Sequence, residues 1–330
     1  MKFGLHLNHE YAKTDDLGVR IEQLVELCHR ASDRGLDSIF GMHHYLSSLA
    51  TLQPMPLLSR LVPETGSMRL GMGVYLAYEH PVLLAENFAT LDQLSGGRLI
   101  LGLGAGYREN EFNALGLDRA TRVSRMFEAV ELIKQLWTGQ PVEFRGKHFS
   151  VSGEAASIVP AQARPPIWLG ANGEKGVRRV ARHADAWIAP PNVKTRWVNG
   201  HLGFFKDELE AHGVETAGRE FPLIRELYIG DTDEQAAAEV SEYLREEYAM
   251  YSEYGEEVEY WRTMFGELLE KAFLIGSPQT VADKLAGFAD AGFNHFIFRI
   301  SWKGMPFEQS LQTLDRLAAE VMPRFSETTV

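Results

Sequence analysis

The sequence predicts an α/β protein of the (β/α)8 TIM-barrel class, and three observations point there. Eight apolar runs of strand length alternate with segments whose apolar residues recur at helical spacing. One junction repeats: "ASDRGLDSIF" and "FADAGFNHFIF" both run helix end, glycine, one residue, Asp or Asn, then an apolar strand, and "ARHADAWI" is a shorter version. Two stretches, 140–165 and 231–271, break the rhythm as insertions into a repeating unit do. A single barrel domain over 1–330 accommodates all of this; an open doubly wound sheet is the alternative.

The elements follow in order. "FGLHL" (3–7) is the first strand, and 16–35 the first helix, with Leu17, Ile21, Leu24, Cys28 and Ala31 at three- and four-residue spacing and Gly35 at its end. Strand two is 37–41, a short helix lies within 52–66, and strand three is 69–77. In 79–98 Pro81 suits a first helical position, Gly96-Gly97 an exit, and Leu84, Phe88, Leu91 and Leu94 one face. Strand four (99–104) precedes a long amphipathic helix over 119–139. In the first insertion "PVEFRGKHFSV" reads as a hairpin turning near Arg145-Gly146. Strands five (167–171), six (185–189) and seven (221–230) resume the pattern. The second insertion is acidic and carries Tyr243, Tyr248, Tyr251, Tyr254 and Tyr260; it reads equally as surface helices packing aromatics downward or as a lid. A helix over 276–292, with Ser277 as cap, Pro278 at its start and Gly292 at its end, leads into strand eight (295–300).

Composition narrows the function classes. The 330 residues are 45% hydrophobic and 24% charged, with a net charge of −12. That balance argues against a general affinity for nucleic acid or anionic membrane. With one cysteine, Cys28, no intrachain disulfide forms, and its place on the apolar side of a helix suits a buried small hydrophobe. The N-terminus lacks an apolar signal region and no stretch reaches the roughly 18 apolar residues of a spanning helix, so a cytoplasmic location is expected.

In a barrel the active site lies at the C-terminal strand ends. Those ends carry Asn8 and His9; His43, His44 and Tyr45; Tyr75 and Tyr78; Gly104, Ala105, Gly106 and Tyr107; Gly170 to Gly173; Pro190 to Asn192; and Ser301 and Trp302. Aromatic and amide groups outnumber charges, which suits a flat aromatic ligand better than a metal. His43 and His44 diverge if their stretch stays extended, and no H-x-H pair marks a strand end, so no metal site is expected. "GLGAGYRENEF" either makes a tight turn or lets backbone approach a ring system. In "WLGANGEKGVRRVA" a helix starts near Asn172 or Gly173; its amides either receive a phosphate, with Lys175, Arg178 and Arg179 adding charge, or are simply capped.

These residues resemble the bacterial luciferase-like flavin-dependent oxidoreductase family. "RLGMGVYLAYEHPVLLAENFATLDQLSGGRLILGLGAGYRENEFNALG" (69–116) carries its H-P, A-E, L-D-x-L-S-G-G-R, G-x-G-x-G and E-F elements in order. "GLDSIFGMHHYL", "RPPIWLGANGEKGVRRVARHADAWI" and "FLIGSPQTVADKLAGFADAGFNHFIF" extend the likeness to nearly the whole chain outside 231–271. The resemblance implies a barrel with a flavin at the C-terminal strand ends: reduced FMN used with oxygen and supplied by a separate reductase, or the deazaflavin F420. It implies that Gly170, Ala171, Asn172 and Gly173 receive the phosphate. Gly73, Val74 and Tyr75 then back the ring, with a cis peptide at Gly73-Val74, and Gly104, Ala105, Gly106 and Tyr107 line the ring or ribityl chain. His44 takes the place of the family's functional histidine, able to donate or accept a proton near neutral pH. His43 replaces an acidic or amide residue, and Asn8, His43, Tyr45 and Trp302 are the expected substrate contacts. The expected function is a monooxygenase acting on a small organic molecule, with an F420-dependent oxidoreductase and a non-catalytic flavin-binding subunit as alternatives. A homodimer is also expected.

Overall fold

The structure is a computed structural model that describes residues 1–191, 193–252 and 258–325. Nine strands form its central sheet: β1 (Lys2–His6), β2 (Ser38–Met42), β3 (Arg69–Tyr75), β4 (Leu99–Gly104), β5 (Ile167–Gly170), β6 (Ala186–Ile188), β7 (Pro222–Ile229), β8 (Leu274–Gly276) and β9 (His295–Arg299). Their order is β6-β5-β4-β3-β2-β1-β9-β7-β8, and every pairing is parallel. The sheet curls. Just past β6, Ala189 makes a parallel bridge with Leu223 of β7. Two 3.2 Å hydrogen bonds hold that seam: the Ala189 amide donates to the Pro222 carbonyl, and the Ile224 amide to that of Ala189.

The sequence expectation of eight strands differs in one place. "LIG" at 274–276, directly before the predicted helix, pairs with Leu227 to Ile229 as an added strand on the edge of β7. Three apolar residues abutting a capped helix carry too short a pattern to separate from it.

The helices are α1 (Leu17–Asp33), α2 (Pro54–Leu61), α3 (Pro81–Ser95), α4 (Glu109–Ala114), α5 (Arg122–Leu136), α6 (Glu174–His183), α7 (Thr195–Ala211), α8 (Asp233–Ser252), α9 (Val258–Lys271), α10 (Pro278–Asp290) and α11 (Phe307–Arg316). Local chemistry sets their ends. Asp16 accepts from the Gly18 and Val19 amides at the start of α1, and Ser277 from the Thr280 amide at the start of α10. Gly96 leaves α3 in the left-handed conformation, φ 67°. The expected inward face of α3 holds for Leu84, Phe88 and Leu91, but Leu94 is 62% exposed. Ten residues beyond Leu84 turn it roughly 80° off the stripe, and Ser95 takes the buried place. Leu17 of α1 is likewise turned outward, whereas Leu24, Cys28 and Ala31 are buried.

Strand alternation divides the core. Phe40, Ile100, Trp168, Ala186, Ile224 and Ile297 fill the inside of the curl. Their neighbours Ile39, Leu101, Leu169, Leu223 and Phe296 face outward into a larger apolar layer shared with the helices. Inside the curl, glycines sit beside large residues of the neighbouring strand. A Cβ on Gly71 would lie 1.9 Å from Phe40 Cδ1, one on Gly73 2.0 Å from Met42 Sδ, and one on Gly104 2.8 Å from the Tyr75 ring.

Both insertions form structure. Val142–Arg145 and Ser150–Glu154 make the expected antiparallel hairpin. Glu128 of α5 anchors its turn by accepting from the Lys147, His148 and Phe149 amides at 3.0, 2.7 and 2.8 Å. The second insertion forms α8 and α9. Tyr248 is buried there, stacked on Phe273 with ring centroids 5.4 Å apart, and Tyr243 packs against the same cluster. Tyr254 and the side chains of Tyr251 and Tyr260 lie outside the described residues. Among the described residues no helix is long and apolar enough to cross a membrane.

Candidate active site

The parallel register of β2, β3 and β4 pairs Met42 with Gly73 and Tyr75 with Gly104. It therefore gathers the C-terminal ends of three strands, and with them the two histidines and most of the mouth tyrosines. Strand pairing continues one residue past β2, where the His43 amide donates to the Gly73 carbonyl at 3.1 Å. Consecutive side chains then diverge, as extended backbone requires.

His43 turns toward Tyr45, Tyr75 and Tyr78, with ring centroids 4.9, 5.3 and 6.0 Å away. It is 2% exposed. Its Nε2 accepts the Tyr75 amide at 3.0 Å, so Nδ1 carries the hydrogen. Burial, helped by the neighbouring His44 and His9, lowers its pKa to about 3, and the ring is neutral at physiological pH. Its acceptor nitrogen is committed to the backbone rather than to the open mouth.

His44 turns the other way, to Tyr75 and Tyr107 at 5.2 and 5.7 Å. Its Nδ1 lies 3.4 Å from Glu111 Oε1, and its Nε2 lies 3.5 Å from the Tyr75 hydroxyl. Glu111, on α4, is fully buried. The Tyr45 amide donates to its Oε1 at 2.8 Å and the Tyr78 hydroxyl to its Oε2 at 2.7 Å, with Arg108 Nη1 4.0 Å from Oε1. Burial alone would raise its pKa; the hydrogen bonds from His44, Tyr78 and the Tyr45 amide outweigh it and hold the carboxyl below its usual range. The Tyr78 and Tyr45 phenols, half-buried and donating to Glu111 and Glu79, are raised by that burial and by those carboxylates.

Glu111 enters the sequence reading only as part of the E-F element of the resemblance and is given no role there. The available signal was an acidic residue inside an apolar pair position, "EF", directly after a glycine-rich turn. Its function depends on a partner 67 residues away, which no local pattern reveals.

The other candidates fall into distinct surroundings. Gly106 turns with φ 78°, and a Cβ there would meet the Tyr78 hydroxyl at 2.7 Å. Val74 points out of the curl into the sheet–helix layer, so only its backbone faces the interior. The Gly73-Val74 peptide is trans, as is every peptide among the described residues, contrary to the cis bond expected there. Gly173 sits at the N-cap of α6 with φ 83°; no side chain caps the helix, and a Cβ there would meet nothing within 4 Å. Asn172 is exposed, and the Ala171 carbonyl accepts the Trp187 indole at 3.0 Å. Of the three cations expected to add charge, Arg178 pairs with Glu174 at 2.9 Å and Arg179 lies over Phe127 at 4.0 Å.

Asn8 is half-buried and accepts the Glu10 amide at 3.3 Å. Trp302 is 1% exposed in the cluster beneath α8, its indole donating to Glu226 at 2.8 Å. As an expected substrate contact it is misplaced: its one polar atom is used inside the protein. Glu226 is also held by Arg299 and by the Tyr248 hydroxyl, a buried network joining β7, β9 and α8. Asn192 lies outside the described residues.

A curled parallel sheet with two histidines, a buried glutamate and a group of tyrosine rings at its C-terminal edge is an α/β architecture of the kind that carries its active sites on strand-end loops. The chain belongs to the luciferase-like monooxygenase family, whose model matches residues 1–295. It is 27% identical to the oxygenase component of a flavin-dependent trigonelline monooxygenase from Acinetobacter baylyi, covering 100% of this chain and 97% of that one. It is 28% identical to an F420-dependent glucose-6-phosphate dehydrogenase from Nakamurella multipartita, covering 92% of each. Its fold matches the oxygenating constituent of 3,6-diketocamphane monooxygenase from Pseudomonas putida, solved with FMN, at a TM-score of 0.81, 19% identity and coverage of 98% of each chain. The chain is thus an oxidoreductase, and its relatives use FMN or F420.

Proposed function

We propose that this protein is the oxygenating component of a two-component monooxygenase, taking reduced FMN from a separate reductase and inserting oxygen into a small organic substrate. The observation that carries the reading is the pairing of His44 with a buried carboxylate beneath a group of aromatic rings at the strand ends. The relative named as an oxygenase component supports the reductase partner. The sheet works as an eight-stranded (β/α)8 barrel closed along the Ala189–Leu223 seam, with β8 as an outer addition. A cytoplasmic homodimer is part of the same reading.

The residues present fit a flavin phosphate. No side chain caps the start of α6, and the space beside Gly173 is open, where a helix terminus favours an anion. Gly170, Ala171, Asn172 and Gly173 would hold the phosphate. The backbone of Gly73 and Val74, with Tyr75, Gly104, Ala105, Gly106 and Tyr107, would enclose the ring. Bound there, the reduced flavin supplies the electrons that activate oxygen. The protein's part is to exclude water with Tyr75, Tyr78 and Tyr107 and to move a proton at His44 Nε2. Asn8 and Tyr45 stand at the mouth as substrate contacts, while His43 holds the Tyr75 backbone in place.

An F420-dependent hydride transfer is the second reading, supported by the dehydrogenase relative at 28% identity against 27% for the oxygenase component. Titration of the purified protein with FMN, reduced FMN and F420 separates the two. Reduced FMN is expected to bind, with His44→Ala leaving its affinity within about twofold. Tight binding of F420 alone would overturn the monooxygenase reading.

A further inference from the structure

We infer that Glu111 is a positioning residue that locks His44 in the Nδ1–H tautomer, leaving Nε2 bare as a proton acceptor at the barrel mouth. The argument is one of donor and acceptor supply. Glu111 receives the Tyr45 amide and the Tyr78 hydroxyl, both of them donors, and the third neighbour is His44 Nδ1. An ionised carboxylate has no hydrogen to give, so the hydrogen between the two must sit on Nδ1. Nε2 then holds a lone pair and accepts from the Tyr75 hydroxyl.

The neighbours reinforce this division. His43 keeps its own acceptor on the Tyr75 amide and does not compete for the carboxylate. His9, behind β2, accepts the Met42 amide through Nε2 at 3.1 Å, and burial lowers its pKa. The remaining groups facing His44 are Tyr75, Tyr107 and, across Glu111, Arg108. Of the three histidines at this edge, only His44 offers a bare nitrogen to a hydroxyl that a substrate can displace. A substrate O–H or N–H would pass one proton to Nε2; the resulting imidazolium lies against the Glu111 charge, and the proton leaves again when the site resets. The assignment of a proton acceptor to this reaction rests on the flavin reading above; the tautomer does not.

Whole protein labelled with nitrogen-15 histidine reports the tautomer directly, with the His44 signals identified by their loss in His44→Ala. Near neutral pH the wild-type signals should show a protonated Nδ1 and a bare Nε2. Glu111→Gln should keep that pattern, because its carbonyl can replace Oε1, and Glu111→Ala should lose it. A wild-type His44 protonated at Nε2, or an unchanged pattern in Glu111→Ala, would overturn the inference. Should Glu111→Ala fail to fold, a wild-type His44 protonated at Nε2 would still overturn the inference. No flavin is present in these samples, so failure of flavin binding would sink the monooxygenase reading without touching this one.

Discussion

Acid should weaken the fold through His43 well before its carboxylates protonate. In the folded protein the ring stays neutral down to a pKa of about 3, against 6.5 for an ordinary histidine. Below pH 6.5 the unfolded chain binds a proton that the folded chain refuses, so unfolding takes up that proton and stability falls as pH falls. Each pH unit below the ordinary pKa costs up to about 1.4 kcal/mol per proton, so moving from pH 6.5 to 4.5 removes about 2.3 kcal/mol through this residue alone. That is a sizeable part of the roughly 5–15 kcal/mol of a typical domain. His6, depressed to about 3 chiefly by burial and then by the Arg299 charge, acts in the same direction. Urea unfolding at pH 7.5, 6.5, 5.5 and 4.5 (conditions chosen to bracket the ordinary histidine range) should show a plateau above the ordinary pKa and a steady decline below it. In His43→Gln, whose amide oxygen can still accept the Tyr75 amide, the decline should lessen by one proton's worth. Identical slopes in the two proteins would refute the buried neutral histidine.

Two further outcomes test the packing. Gly71→Ala forces a Cβ against the Phe40 ring and should cost about 1–3 kcal/mol, with part of the loss recovered by adding Phe40→Leu; an unchanged melting temperature would contradict the close fit. The Cys28 thiol, buried and pushed up to about 12 by that burial, should react with an aromatic disulfide reagent only as fast as the protein opens. Stoichiometric labelling of the native protein within seconds would show that the residue is not enclosed.

The strands were legible where an apolar run stood alone between turn residues, and the helices where caps and periodicity agreed, as in α1, α3 and α10. Leu94 shows the limit of reading a face by eye, since an apolar residue near a helix exit need not lie on the stripe. For the candidate site, the sequence places residues at strand ends but does not give their arrangement. The order of the strands put His43 and His44 at a mouth, yet which ring serves the backbone depends on the register of β2 against β3 and on where the Tyr75 amide points. Glu111 enters through α4, a six-residue helix too short to carry a period. The hydrogen bond that holds the Trp302 indole is accepted by Glu226, on a strand 76 residues away, which no local pattern reveals.

The glycines inside the curl leave its interior to be filled by side chains of neighbouring strands. Phe40 and Met42 of β2 lie over Gly71 and Gly73, and the Tyr75 ring covers Gly104. Trimming any of those three side chains would widen the interior while leaving every hydrogen bond of the sheet in place. A scaffold built this way can change the packing of its interior through a few side chains, with no strand having to shift or lengthen.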